Sequence, residues 1–313
     1  MDSETKKLTP LKFLPDRQDT PWGSIEYKLA DLGFIDSMAS EGWLGGNTIS
    51  DIMQTYLERV SGETSFDWYG TQFPVLIKRI CVNKGRTPLH LNPDDETAEQ
   101  RYDAFGKTAL WYVEDAGKDA ALYLGFKKAV GAEQLYQASL DGSVDSLLHK
   151  VKPGKGEFYL ITPGTVYAAK DVTILEISEA SELSFNLETD LEEAFDLIDL
   201  GAWSNPLPRP EGSLIVSLPQ FTANRIPLSQ ALKSHRDLDD TFLLYITLEG
   251  EAIIEADNNN YKAKKGELVM VPAEVTDFAL LPAAPGTVIL EVRMDPRPDD
   301  DIVSEPVDDG SQD

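Results

Sequence analysis

The chain has 313 residues, 42% of them hydrophobic and 9% aromatic, and carries a formal net charge of −26. This length and composition suit about two packed domains, and the acidity excludes nucleic acid and anionic membrane surfaces as partners, because a polyanion is repelled. No apolar run approaches the roughly 20 residues that span a bilayer, and Met1 to Lys7 lead into no apolar signal, so no membrane partner and a cytoplasmic location are expected.

In chain order, Asn47-Thr48-Ile49-Ser50-Asp51 opens a predicted helix with Ile49, Ile52, Met53 and Tyr56 at helical spacing, ending near Gly62. Residues 72–92 and 108–126 come in short apolar and β-branched runs between turn residues, the pattern of a β-barrel or sandwich. The single cysteine, Cys81, lies between Ile80 and Val82 and reads as a strand thiol rather than a nucleophile. Residues 129–151 are expected to be helical, with Leu135, Leu140, Val144, Leu147 and Leu148 as apolar positions and Gly142 as a break. Strands resume at Glu157, residues 194–204 form a short helix or turn, and residues 205–212 are a proline-rich connector that few hydrogen bonds cross. Beyond it, Phe242 to Ile254, a turn at Asp257-Asn258-Asn259-Asn260, and Tyr261 to Ala273 predict strand, hairpin and strand. From Asp295 to Asp313 there are eight acidic residues, one arginine and three prolines, so this acidic tail is expected to be disordered and solvating.

Three stretches carry a resemblance. Thr87-Pro88-Leu89-His90-Leu91-Asn92-Pro93-Asp94-Asp95, Gly106-Lys107-Thr108-Ala109-Leu110-Trp111-Tyr112-Val113 and Pro163-Gly164-Thr165-Val166-Tyr167-Ala168 resemble the metal-bearing segments of the type I mannose-6-phosphate isomerases, which are zinc-dependent cupins. Pro21-Trp22-Gly23, Phe73 to Lys78, Tyr123 to Lys127 and Glu176 to Glu182 extend the resemblance along most of the chain. It implies a mainly β fold of two cupin-like barrels, or jelly rolls: a first barrel with helical insertions over 1–205, a second, metal-free barrel over 206–294, and the tail over 295–313. By the same resemblance the family's zinc ligands, Gln, His, Glu and His, are replaced by His90, Asn92, Ala109 and Tyr167, and the family's catalytic Arg by Asn186.

Strand alternation sets His90 and Asn92 on one face, with Leu89 and Leu91 on the other. One imidazole, an amide, a methyl group and a phenol are too poor a donor set for zinc, and His149 and His235 lie in segments away from this face, so no metal or other cofactor is expected; zinc returns only if the family activity persists. Candidate substrate contacts are Lys107, Trp111, Glu179 and Asn186, although Trp111 with Tyr112 also suits packing, and Lys78, Lys107 and Lys127 suit solvated strand ends. Asp94 and Asp95 read as a turn or helix cap. His90 and Tyr167 are the catalytic candidates, and the simplest alternative is a hydrogen-bonded pair filling the space of a metal.

Whether the chain is an enzyme stays open. The first expectation is a catalytically impaired, zinc-free protein of carbohydrate metabolism that binds or senses a small sugar or sugar phosphate. The alternatives are an active isomerase of mannose 6-phosphate and fructose 6-phosphate with a rearranged metal site that recruits Glu179, and a metal-free epimerase or isomerase using His90 as base and Tyr167 as acid.

Overall fold

A computed structural model describes residues 6–207, 212–237 and 241–295; of the acidic tail, all but Asp295 lies outside the described residues. The chain folds mainly as strands. β1 (Asp16–Thr20), β2 (Gly23–Leu29), β3 (Val75–Arg86), β4 (His90–Leu91), β5 (Ala109–Phe126), β6 (Leu148–Val151), β7 (Phe158–Ile161), β8 (Tyr167–Glu179) and β9 (Phe185–Asn186) pair in one nine-stranded sheet. β8 is its spine, antiparallel to β3 on one edge, to β5 on the other, and to β4 at its first residue.

The predicted first helix is three short ones, α1 (Ile49–Tyr56), α2 (Glu58–Ser61) and α3 (Glu63–Tyr69). Thr48 and Asp51 form a reciprocal capping box at the start, and Leu57, at φ 52°, interrupts the run. Asp94 caps α4 (Asp95–Tyr102) by accepting from the Thr97 amide at 2.7 Å, so Pro93-Asp94-Asp95 is a helix start, as its sequence suggested. The expected helix over 129–151 is corrected. Only α5 (Ala132–Asp141) is α-helical, Gly142 ends it at φ 73°, a 3₁₀ turn follows, and 148–151 is strand β6. Leu140 is exposed, whereas Leu148 is buried because it pairs with Phe126. Near the connector, α6 (Leu191–Leu197) precedes Asn205, whose side chain bonds Leu160 and Phe158, so hydrogen bonds do cross there.

Past the connector, β10 (Leu214–Ser217), β11 (Thr222–Pro227), β12 (Leu232–His235), β13 (Leu243–Glu249), β14 (Glu251–Ala256), β15 (Asn259–Lys264), β16 (Leu268–Val271), β17 (Asp277–Pro282) and β18 (Val288–Arg293) make two further sheets, ordered β10-β11-β18-β13-β16 and β12-β17-β14-β15. The expected single strand over 242–254 is therefore two strands broken at Gly250, whose φ is 75°. The hairpin at Asp257 and Asn258 has both residues at positive φ, the geometry that a tight two-residue turn requires.

Alternate residues of these strands enter different cores. Leu243, Tyr245, Val269, Val271 and Ile289 pack against β14 and β17 residues such as Ile254 and Leu280. Leu244, Ile246, Met270, Leu290 and Val292 point the other way and join Ile77, Leu110 and Ile177 of the nine-stranded sheet. Both faces of β13 are buried, which is why Phe242 to Ile246 reads as a continuous hydrophobic run. Each such Leu or Ile withdrawn from water contributes about 1.5–3 kcal/mol.

Candidate functional site

Register brings a row of polar and aromatic side chains onto one face of the nine-stranded sheet. Tyr27 on β2 opposes Lys78 on β3, Lys78 opposes Glu176 on β8, and Glu176 opposes Trp111 on β5, which in turn opposes Tyr159 on β7. Directly opposed residues share a face, so Lys78, Glu176 and Trp111 must meet. Lys107, just before β5, and Glu182, just after β8, reach the same point.

The result is a quartet of charges, three of them buried and the fourth, Glu182, half-buried. Glu176 lies 3.0 Å from Lys107 and 3.3 Å from Lys78, and its second oxygen accepts the Trp111 indole N–H at 2.7 Å. Glu182 pairs with Lys107 at 3.2 Å and with Lys78. Lys107 is 2% exposed, Glu176 3% and Lys78 5%, so none of them is a solvated stem, contrary to the expectation for lysines at strand ends; Lys127 alone of the three is exposed. Burial works against the charges of Lys107, Glu176 and Glu182. The counter-charges outweigh it: Glu176 and Lys107 hold the Lys107 ammonium well above and the Glu176 carboxyl below their ordinary ranges, and Lys107 with Lys78 holds Glu182 at about 2. Two ammonium and two carboxylate groups balance, which is the condition for burying them at all.

Beside the quartet stand the sequence-predicted residues. His90 on β4 opposes Tyr167 of β8 on one side and Asn186 of β9 on the other, so these three are brought together. The Tyr167 hydroxyl donates to Asn92 Oδ1 at 2.9 Å, and Asn92 Nδ2 donates to the Lys107 carbonyl at 3.4 Å. His90 meets Tyr167 edge to face, with ring centroids 6.2 Å apart, so the hydrogen-bonded partner of Tyr167 is Asn92 and not His90 as the sequence alternative had it. The Tyr167 ring also stands edge-on to Trp111, at 5.5 Å, with the buried Ala109 in the same cluster. Burial, then the neighbouring Lys78, lowers the His90 pKa and favours neutral imidazole, while burial raises that of Tyr167.

Other candidates serve differently. Trp111 is a buried packing and hydrogen-bonding residue. Asn186 Oδ1 accepts from the Glu188 amide at 2.8 Å. Glu179 accepts the Thr108 amide at 2.7 Å; burial and then the charge of Asp95 push its carboxyl up to about 8. Asp95 in turn accepts the Gly106 amide at 3.1 Å, and a Cβ at Gly106 would stand 2.5 Å from the Asp95 nitrogen, so glycine lets the Lys107 segment pass against the start of α4. His149 lies near Trp203, which packs in the cluster that holds Trp111 and Tyr167, so it is not remote from this face as the sequence had placed it; His235 pairs with Asp277 in the second region. Among the described residues, no three His, Cys, Asp or Glu side chains are grouped to hold a metal ion, and no helix is long and apolar enough to cross a membrane. Glu176 and Glu182 are absent from the sequence-derived candidates. For Glu176 a signal was present, since like Lys78 it interrupts an apolar strand run, Ile174 to Ile177; Glu182 lies outside a strand and carries no such signal.

Residues 214–284 match the family model described as mannose-6-phosphate isomerase, cupin domain. The mannose-6-phosphate isomerase ManA of Bacillus subtilis is 24% identical over 313 aligned positions, covering 87% of this chain and 95% of the relative. Over most of its length the chain is similar to mannose-6-phosphate isomerases. A crystal structure of mannose 6-phosphate isomerase from Bacillus subtilis shares the fold, with a TM-score of 0.79 at 18% identity over 92% of this chain and all of that one. A zinc-bound mannose 6-phosphate isomerase superposes with a TM-score of 0.74 at 13% identity, again over 92% of this chain and all of that one. The mainly β cupin fold expected from the sequence is thus the observed one. The family model falls on the second region, while the quartet and His90 lie in the first.

Proposed function

We propose that this protein binds a sugar or sugar phosphate beside the quartet and is impaired as an isomerase, working without zinc. The observation that supports it most is the hydrogen bond from Tyr167 to Asn92 next to Ala109. These are positions that the resemblance gives to zinc ligands. Alanine offers no donor atom, the amide oxygen of Asn92 is already engaged, and a phenol must lose its proton to ligate well, which burial opposes here. The four residues therefore do not fit zinc, and no step is assigned to it. The sheet of 1–205 would form the binding unit and that of 206–294 its support. A soluble, cytoplasmic role in carbohydrate metabolism accords with this reading.

A second reading, the family isomerisation itself, draws support from the quartet, since a costly buried charge cluster is typical of active sites, and from the relatives' names. The third, proton transfer by His90 and Tyr167, has a neutral imidazole in its favour but a tyrosine hydroxyl already donated to Asn92. A coupled assay for interconversion of mannose 6-phosphate and fructose 6-phosphate, with and without added zinc, separates them. The expected result is no turnover in the range of roughly 1 to 1000 per second typical of enzymes. Such turnover, persisting after removal of any contaminating isomerase, would replace the first reading with the second.

A further inference from the structure

We propose that the second half carries a ligand site of its own, at the place where the first half has its quartet, and that it takes a small polyhydroxylated ligand of the sugar class. The strand orders correspond. In the first half β3, β8, β5 and β7 lie side by side, and in the second β11, β18, β13 and β16 do. Across the first run stand Lys78, Glu176, Trp111 and Tyr159; across the second, register opposes Asn224 to Glu291, Glu291 to Tyr245 and Tyr245 to Val269. Contacts repeat along with positions. Glu176 accepts the Trp111 indole N–H at 2.7 Å and lies 3.3 Å from Lys78, while Glu291 accepts the Tyr245 hydroxyl at 2.9 Å and the Asn224 amide at 3.3 Å. Amid the apolar residues that close this face of the second half, one polar row therefore survives.

A second correspondence fixes the opposite wall. Tyr167, which opposes His90, lies four residues past Pro163, and Thr276, whose carbonyl accepts the Arg236 amide at 2.9 Å, lies four residues past Pro272. Arg236 thus stands where the first half has His90. It is 7% exposed, and its guanidinium is held by donating to the carbonyls of Pro272, Ala273 and Val275. Arg236, Tyr245 and Glu291 line one cavity of about 340 Å³, together with Ser234, Thr241 and Arg293. That volume falls in the range of small-molecule sites, roughly 300–1000 Å³. Each hydroxyl of a hexose both donates and accepts a hydrogen bond. The cavity offers the matching mixture: the Glu291 carboxylate accepts, the guanidinium groups of Arg236 and Arg293 donate, and the Ser234 and Thr241 hydroxyls do either. Tyr245 and Asn224 hold both Glu291 oxygens in place before a ligand arrives, which lowers the cost of ordering the site.

Titration calorimetry on the full chain with mannose, fructose and their 6-phosphates, repeated on Glu291→Gln and on Leu243→Phe, tests this. Leu243 lines the same cavity, so the larger ring fills it. The expected result is a binding event, for at least one of the four probes, that both variants weaken tenfold or more. Binding of a free hexose marks the hydroxyls as the recognised groups; binding of a 6-phosphate alone supports the site with one of its arginines on the phosphate. Isotherms unchanged in both variants, with fold preserved by circular dichroism, would put every binding event in the first half and overturn the inference while leaving the proposal for that half standing. No binding by any of the four overturns both. If Leu243→Phe fails to fold, Glu291→Gln decides alone.

Discussion

The two halves of the molecule put similar strands to different use. In both, alternate residues face a shared core between the halves: Leu110 and Ile177 from the first, Ile246 and Leu290 from the second. The opposite faces diverge. In the second half that face is closed by Leu243, Val269, Val271 and Ile289. In the first it carries Lys78, Glu176 and Trp111 in adjacent register positions. Apolar closure yields stability with little specificity, while a largely buried charge quartet is tolerated only where every partner is in place. The difference teaches that the first half pairs its buried ammonium groups with carboxylates, whereas the buried Arg236 of the second donates to the backbone carbonyls of Pro272, Ala273 and Val275.

The largest effect should come from restoring a metal to the first half. The fourfold variant His90→Gln, Asn92→His, Ala109→Glu and Tyr167→His is expected to bind about one zinc per chain, measured by elemental analysis after dialysis, because backbone register fixes where donor atoms point. A folded variant that takes up no zinc would place these side chains on different faces. Turnover need not follow, since partners that orient metal-bound histidines are not supplied by the four changes.

Next in size, breaking the quartet should cost more than breaking the polar contact of the second half. Glu176→Ala leaves two ammonium groups with one carboxylate and is expected to destabilise by about 3–5 kcal/mol. Tyr245→Phe removes the hydroxyl that donates to Glu291 at 2.9 Å and should cost about 1–3 kcal/mol. Urea denaturation of both variants decides, and equal losses would erase the distinction between the halves.

The smallest effect concerns pH. Glu179 has a carboxyl pushed up to about 8, against an ordinary value of 4.5. The native state therefore holds a proton that the unfolded chain has released, so this contribution to stability is full below about 4.5 and is lost as pH rises toward 8. Glu179→Gln should flatten the decline in melting temperature across that window. An unchanged slope would assign the decline to other groups.

Much of the fold was legible because its signals are local: Thr48 and Asp51 as a helix start, Gly142 as a helix end, and Asp257 with Asn258 as a hairpin. The frame of the site was legible too, through His90, Asn92, Ala109 and Tyr167. What escaped depended on partners far along the chain. Leu148 has the spacing of a helix but lies in a strand because Phe126 is there to pair with it. Lys78 looks like a solvated stem until Glu176 and Glu182, roughly a hundred residues away, are brought to it. Charge in an apolar strand was the available clue, and it gains meaning only once register is known.

One modest contact governs the order in which the chain can mature. Leu11 pairs backbone to backbone with Met270, donating at 2.8 Å and accepting at 2.9 Å, and its side chain is buried in the core common to both halves. During synthesis that early segment must wait for a strand made some 260 residues later. Until then the apolar face of the nascent first half, including Ile77, Leu110 and Ile177, lacks the cover that Ile246, Met270 and Leu290 of the second half provide. Contacts of such sequence separation slow folding and leave intermediates prone to association. The two halves are therefore expected to complete folding together, with the ribosome's release of the last strands as the step that seals both.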